Sequence, residues 1–150
     1  MKLYLLRHGQ YATETESLNF AGKREVEAIA EFLLKERAVI ERIYSSPKSR
    51  SQETAKIIQQ KVVANVSIEI RNDLNPNDPV DDIMIELSKE RKVVLIAGHM
   101  PFLGTLAAKL LTYDEAQNAV GFQTGSLAIL DCDSKGRWTL VSLINPSSLR

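Results

Sequence analysis

Val93-Val94-Leu95-Ile96-Ala97 is the run that most restricts the fold. It is wholly apolar, rich in β-branched residues and too short for a buried helix, so it reads as a strand. A strand with no polar face is central and covered on both sides, the usual condition of a parallel sheet flanked by helices. Leu3-Tyr4-Leu5-Leu6 is a second such run, and Ile40 to Ser45 and Val66 to Ile70 read as two more strands. Between them lie helical periods. Val26, Ile29, Ala30, Leu33 and Leu34 form one stripe within Leu18 to Arg37, with Gly22 marking a start just behind it. Ser46 and Pro47 suit the cap and first position of a helix running to about Val63, with Arg50 in its first turn. Arg71 to Pro79 is a loop dense in Asn, Asp and Pro, on which Arg71 reads as a surface charge. Helices follow from about Val80 to Lys89, with Ile83, Ile85 or Met84, and Leu87 inward, and from Pro101 through Leu110. Tyr113 to Gln123 is amphipathic and ambiguous. Ser126 to Cys132 and Trp138 to Leu143 form a closing hairpin, and the tail from Asn145 is weakly held. Strand alternating with helix predicts a three-layer α/β/α sandwich with a mainly parallel central sheet, formed as a single domain over residues 1–150.

Charge excludes some functions. Lys+Arg and Asp+Glu number 19 each, which gives no footprint for nucleic acid or a membrane surface, so any anion binding must be local. Cys132 is the single cysteine, which rules out an intrachain disulfide and fits a reducing, cytoplasmic setting. It reads as a strand residue of no special reactivity. No apolar run approaches a membrane span or the core of a signal peptide.

Three strand ends carry chemistry: Arg7-His8-Gly9, the Ser46 to Arg50 helix start, and Gly98-His99. In open α/β sheets, ligands bind beyond the carboxyl ends of the strands. Two arginines, both histidines of the chain and two helix N-termini there describe a pocket for a doubly charged tetrahedral anion. Phosphate fits best, because guanidinium groups grip its oxygens in pairs. Binding needs only the arginines; an imidazole adds a nucleophile able to attack phosphorus in line. No tight cluster has metal-ligand spacing, and the arginines supply the positive charge, so no cofactor or metal is expected.

Arg7-His8-Gly9 after a first strand, Ser45-Ser46-Pro47 with Arg50 and Thr54-Ala55 following, and Gly98-His99-Met100-Pro101 after an apolar strand together resemble the histidine phosphatase (phosphoglycerate-mutase-like) superfamily. The short chain and the order of its elements are most similar to the small phosphohistidine-phosphatase (SixA-like) branch. The resemblance implies His8 as the phosphate-accepting nucleophile. Arg7, Arg50 and His99 then complete the phosphate pocket, with His99 stabilising the transferring group. Many members place a proton-donating Glu in the loop after the third strand; Asp73 falls on that position here, and as a plain turn residue it would need no catalytic role. Gln10 and Thr13 are the residues near Arg7-His8-Gly9 able to add a polar phosphate contact. The resemblance implies a metal-independent phosphatase acting on phosphohistidine of a protein, since nothing resembles the long inserted lid of larger relatives. The alternatives are a small-molecule phosphomonoesterase and a non-catalytic phosphate-binding module. The pocket requires the imidazoles of His8 and His99 to lie roughly 4–8 Å apart, a phosphate's width, between both guanidinium groups.

Overall fold

The computed structural model describes residues 1–114 and 119–149. Its elements in order are β1 (Lys2–Arg7), α1 (Phe20–Lys35), β2 (Arg42–Ser45), α2 (Ser49–Val62), β3 (Ile68–Ile70), α3 (Asp81–Lys89), β4 (Val94–Gly98), α4 (Phe102–Thr112), β5 (Leu127–Cys132) and β6 (Trp138–Ile144), then a 3-10 turn at Pro146–Leu149. One sheet has the order β3-β2-β4-β1-β5-β6. The first four strands are parallel; β5 and β6 run antiparallel to their neighbours. The expected α/β sandwich is therefore the fold, with the hairpin completing one edge.

The period of two along β1 builds both cores. Leu3 and Leu5 pack with Val94 and Ile96 under α3 and α4, against Ile83, Leu87, Phe102 and Leu106. Tyr4 and Leu6 pack with Leu95 and Ala97 under α1 and α2, against Val26, Ile29, Leu33 and Ile58. All five residues of β4 are buried, as a strand covered on both faces requires.

β4 lies between β2 and β1, although β3 precedes it in the chain. The chain thus reverses direction across the sheet beside β1, which opens a crevice at the carboxyl ends of these strands. Register sets what lines that crevice. Arg7 pairs with Gly98, and Ser45 with Ala97. His8, His99 and Ser46 are consequently the next residues out on three adjacent strands.

Several boundaries differ from the sequence reading, each for a tertiary reason. Gly22 lies inside α1, whose cap is Asn19, with its side chain accepting from the Gly22 N–H. A Cβ on Gly22 would fall 1.9 Å from the Gln10 carbonyl oxygen, and one on Gly9 would fall 2.6 Å from that of Gly22. Two backbones touch there, so glycine serves packing rather than helix termination. α2 starts at Ser49 with Lys48 at the cap position. Ser46 does not cap it, because its hydroxyl is used elsewhere. Ile85 is 57% exposed, and the inward residues of α3 are Ile83 and Leu87, with Met84 against the core. The tail is held: Pro146 is buried, and Ser126 Oγ donates to Asn145 Oδ1 at 2.6 Å. The ambiguous stretch from Tyr113 to Gln123 falls partly outside the described residues; Val120 and Phe122 within it are buried. Among the described residues, no helix is long and apolar enough to cross a membrane.

Candidate active site

β1 and β4 deliver His8 and His99 side by side, with ring centroids 5.0 Å apart, inside the expected span. Both are buried, at 4% and 1% exposure. The exit of β1 is pinned from three sides. His8 N–H donates to the Gly98 carbonyl at 3.0 Å, and Gly125 N–H to the Arg7 and His8 carbonyls at 3.1 and 3.0 Å. Gly9 N–H donates to Thr54 Oγ1 at 3.2 Å, and that hydroxyl donates to the Arg50 carbonyl at 2.8 Å. Thr54 thereby fastens the first turns of α2, and with them Arg50, to the strand that carries His8.

The tautomer of His8 follows from one contact. Its Nδ1 lies 2.8 Å from the Gly9 carbonyl oxygen, and a carbonyl only accepts. Nδ1 therefore carries the proton, and a neutral ring leaves a lone pair on Nε2. The ring is held neutral. Burial pulls its pKa down to about 4, with Arg50 and Arg7 adding to the fall and the Gly9 hydrogen bond opposing it. His99 is lowered to about 3, first by burial, then by His8, Arg50, Lys48 and Arg7.

Arg7 donates through Nη1 to the Phe122 carbonyl at 2.9 Å. Burial lowers its pKa, and Glu25 and Tyr11 push it back. The Arg50 guanidinium stands 4.5 Å above the Tyr11 ring, which in turn meets His8 edge-on at 5.4 Å. Tyr11 thus spaces the second arginine from the first histidine. The nearest carboxylate to Arg50 is Glu16, 65% exposed and 3.8 Å from Nη1.

Three nitrogens of this cluster are buried without a hydrogen-bond partner: Arg7 Nε, Arg50 Nε and His99 Nδ1. The fourth such atom among the described residues, Arg42 Nε, has the Glu90 carboxylate 3.3 Å away. Buried donors without acceptors are costly, about 1–3 kcal/mol each and more when charged. Two of them, the Nε–H groups of Arg7 and Arg50, in the cluster that holds the His8 lone pair fit an oxyanion that accepts from them.

Asp73 is not brought into this group. Its carboxylate takes two hydrogen bonds from Arg71, Nε to Oδ1 at 3.0 Å and Nη2 to Oδ2 at 2.8 Å. Arg71 holds its pKa below the usual carboxylate range, so it stays ionised and is poorly suited to donate a proton. Arg71 is no loose surface charge either: it also pairs with Glu86 and lies 4.9 Å over the Tyr44 ring. Gln10 does not join the cluster; its backbone N–H and its Nε2 donate to Glu25 at 2.9 and 3.2 Å. Thr13 is exposed in a turn. Cys132 ends β5, and burial raises its thiol pKa. Among the described residues, no group of three or more His, Cys, Asp or Glu is placed to hold a metal.

Sequence reasoning missed two residues of the site. Ser46 Oγ lies 2.6 Å from His99 Nε2, where its Ser-Pro context had signalled a helix cap. Tyr11 sits in a polar loop whose pattern carries no signal for stacking.

Comparison with known proteins agrees with this geometry. The model of the histidine phosphatase superfamily (branch 1) matches residues 3–76. The phosphohistidine phosphatase SixA of Escherichia coli (strain K12) is 25% identical over 159 residues, covering 100% of this chain and 97% of that one. The structure of the protein histidine phosphatase SixA complexed with tungstate superposes with a TM-score of 0.90 at 24% identity, over 100% of both chains. The alpha-ribazole phosphatase of Shigella flexneri shares the fold at a TM-score of 0.80 and 16% identity, over 97% of both. With the ordered Arg-His, Arg and His segments on one crevice of this sheet, these likenesses support a SixA-like protein of the histidine phosphatase superfamily.

Proposed function

We propose that the protein removes phosphoryl groups through a phosphohistidine formed on His8, and that its substrate is a phosphohistidine side chain of a protein. The observation that carries the mechanism is the neutral His8 ring, its Nδ1 committed to the Gly9 carbonyl, set beside His99 and within the electrostatic reach of Arg50 and Arg7. The phosphoryl group sits between the Arg7 and Arg50 guanidinium groups and His99. His8 Nε2 attacks phosphorus in line, and the bond from phosphorus to the leaving group breaks. Arg7, Arg50 and His99 hold the charge on the equatorial oxygens. The phosphorylated ring keeps its Nδ1 proton on the Gly9 carbonyl, which steadies the positive charge the ring acquires. Water then attacks phosphorus, the P–Nε2 bond breaks, and phosphate leaves with His8 restored. Tungstate, bound by a relative of this fold, is a tetrahedral oxyanion of the same kind.

Two features favour a phosphoramidate on a protein over a sugar or alkyl phosphate. An imidazole leaving group is readily protonated by solvent, whereas an alkoxide needs a positioned acid, and the carboxylate at the acid's position is held ionised by Arg71. The connections from β2 to α2 and from β4 to α4 are only three residues each, 46–48 and 99–101, so neither places a lid over the crevice. The relative SixA is itself named for phosphohistidine.

The test is a comparison of a phosphohistidine protein with an aryl phosphate as substrates, in metal-free buffer. An acid-labile, base-stable label on the enzyme that vanishes in His8→Ala supports the mechanism. Turnover retained in His8→Ala or Arg7→Ala overturns it. A kcat/KM at least 100-fold higher for the phosphohistidine protein supports the substrate. An equal or reversed ratio assigns a small-molecule phosphomonoesterase instead, and binding without turnover of either assigns a phosphate-binding module.

A further inference from the structure

Ser46 is fully buried, and its hydroxyl has two neighbours: the Lys48 N–H at 3.3 Å and His99 Nε2 at 2.6 Å. The Lys48 contact can only be donated to Ser46 Oγ. The hydroxyl's own proton then has a single acceptor within reach, His99 Nε2. Two arrangements of the His99 proton are conceivable, and counting partners separates them. With the proton on Nε2, Ser46 would accept twice, its own hydroxyl proton would be buried without an acceptor, and Nδ1 would be a buried bare lone pair. With the proton on Nδ1, every Ser46 contact is satisfied, and the one unpartnered group is an Nδ1–H. A bare lone pair repels phosphoryl oxygens, whereas an N–H donates to them.

We propose that Ser46 is a positioning residue that fixes His99 as the Nδ1–H tautomer, so that a serine hydroxyl on β2's carboxyl end aims a hydrogen-bond donor from β4's end at the transferring phosphoryl group. The chain of donors runs from Lys48 N–H to Ser46 Oγ, from Ser46 O–H to His99 Nε2, and from His99 Nδ1–H to the phosphoryl oxygen. No proton changes owner. His8 and His99 then show the same tautomer but opposite faces: His8 turns its Nδ1–H to the Gly9 carbonyl and offers Nε2, while His99 turns Nε2 to Ser46 and offers Nδ1–H. One ring is set to attack and its neighbour to donate, by a carbonyl in one case and a hydroxyl in the other.

The inference rests on the phosphatase reading above, and its test does not. Long-range proton–nitrogen NMR spectra of the free, full-length protein report which His99 nitrogen carries the proton. Nδ1 is expected in the protonated range and Nε2 in the unprotonated range at pH 7; the reverse overturns the proposal, with no variant needed. Ser46→Ala is expected to mix the two His99 tautomers and to lower kcat/KM for the phosphohistidine protein about tenfold or more. Ser46→Thr, which keeps the hydroxyl, restores the Nδ1–H form and most of the rate. A Ser46→Ala protein with an unchanged His99 spectrum and unchanged rate overturns the proposal. Should His8→Ala keep its turnover, the phosphohistidine mechanism falls while the wild-type spectrum still decides the tautomer.

Discussion

Two arginine clusters stand at the carboxyl ends of the same sheet and have been finished in opposite ways. Beyond β3, Arg71 is matched: Asp73 takes it with two oxygens, Glu86 pairs with it, and Tyr44 lies beneath it. Beyond β1 and at the start of α2, Arg7 and Arg50 have no buried carboxylate partner among the described residues, and each leaves Nε without an acceptor there. Arg50 also occupies the first turn of a helix, where the dipole disfavours a cation. A chain that served stability alone would treat both clusters alike. The unmatched one holds unfavourable electrostatics in reserve for an anion, as functional sites commonly do at the expense of the folded state. The matched one is architecture.

The comparison breaks most sharply at the proposed nucleophile. His8→Ala is expected to reduce turnover of any phosphoryl substrate by about 10⁴-fold or more, measured with both phosphohistidine protein and aryl phosphate. Arg50→Ala is expected to lower kcat about 100–1,000-fold, the usual loss when a donor to transition-state charge is removed. Its Tm in anion-free buffer should not fall, because the deleted charge is buried and its one carboxylate contact, Glu16, is exposed and 3.8 Å away. Arg71→Ala should do the opposite, lowering Tm while retaining turnover, since it leaves Asp73 and Glu86 without their cation. Phosphate or tungstate at about 100 times its Kd should stabilise the wild type by about 2.7 kcal/mol. That gain should persist in Arg71→Ala and vanish in Arg50→Ala. Should both variants lose stability and keep the anion response, the two clusters are of one kind.

Acid sharpens the contrast further. His8 and His99 have folded-state pKa values of about 4 and about 3, against about 6.5 in an unfolded chain. The unfolded state therefore binds more protons below pH 6.5, and stability falls as pH drops from about 6.5 toward 3. Chemical denaturation at steps of pH should reveal a loss on the order of 3 kcal/mol for each histidine by pH 4. A bound oxyanion favours the charged imidazole, so the loss should shrink in saturating phosphate. A double substitution of His8 and His99 by Gln should flatten this part of the profile.

What the sequence disclosed divides along the same line. Local pattern was enough for the strands and most helix spans, because the apolar periods of β1, β4 and α1 are strong and self-contained. It also singled out Arg7, His8, Arg50 and His99, which the fold brings together, since each sits where a strong element begins or ends. Contacts between elements left no such mark. Gly22 read as a helix boundary because glycine usually breaks helices, and only the Gln10 carbonyl pressed against it explains its place inside α1. Ser46 read as a cap because Ser-Pro signals one; its hydroxyl turns instead to a histidine far along the chain. Arg71 read as surface because loops are wet, and its two carboxylates and aromatic bed come from β2, α3 and its own loop. Side chains whose role is set by register across β2, β4 and β1 cannot be seen in a linear pattern.

The smallest expected effect tests the residue on which position and environment disagree. By position, Asp73 is the proton donor; by environment, it is the carboxylate half of a two-pronged pair. A donor must be protonated when the leaving group departs, and the Arg71 guanidinium favours the ionised form. Asp73→Asn removes the charge and keeps the shape. As a structural partner it should leave the rate on a phosphohistidine protein within about twofold, and its pH profile unmoved on the acid side. Stability should fall by about 1 kcal/mol or less, because the pair is partly exposed and Arg71 keeps Glu86 and the Tyr44 ring. An aryl or alkyl phosphate makes the stricter probe, since an oxygen leaving group depends more on an acid. A fall of 100-fold on an alkyl phosphate alone would move Asp73 from the matched cluster into the unmatched one.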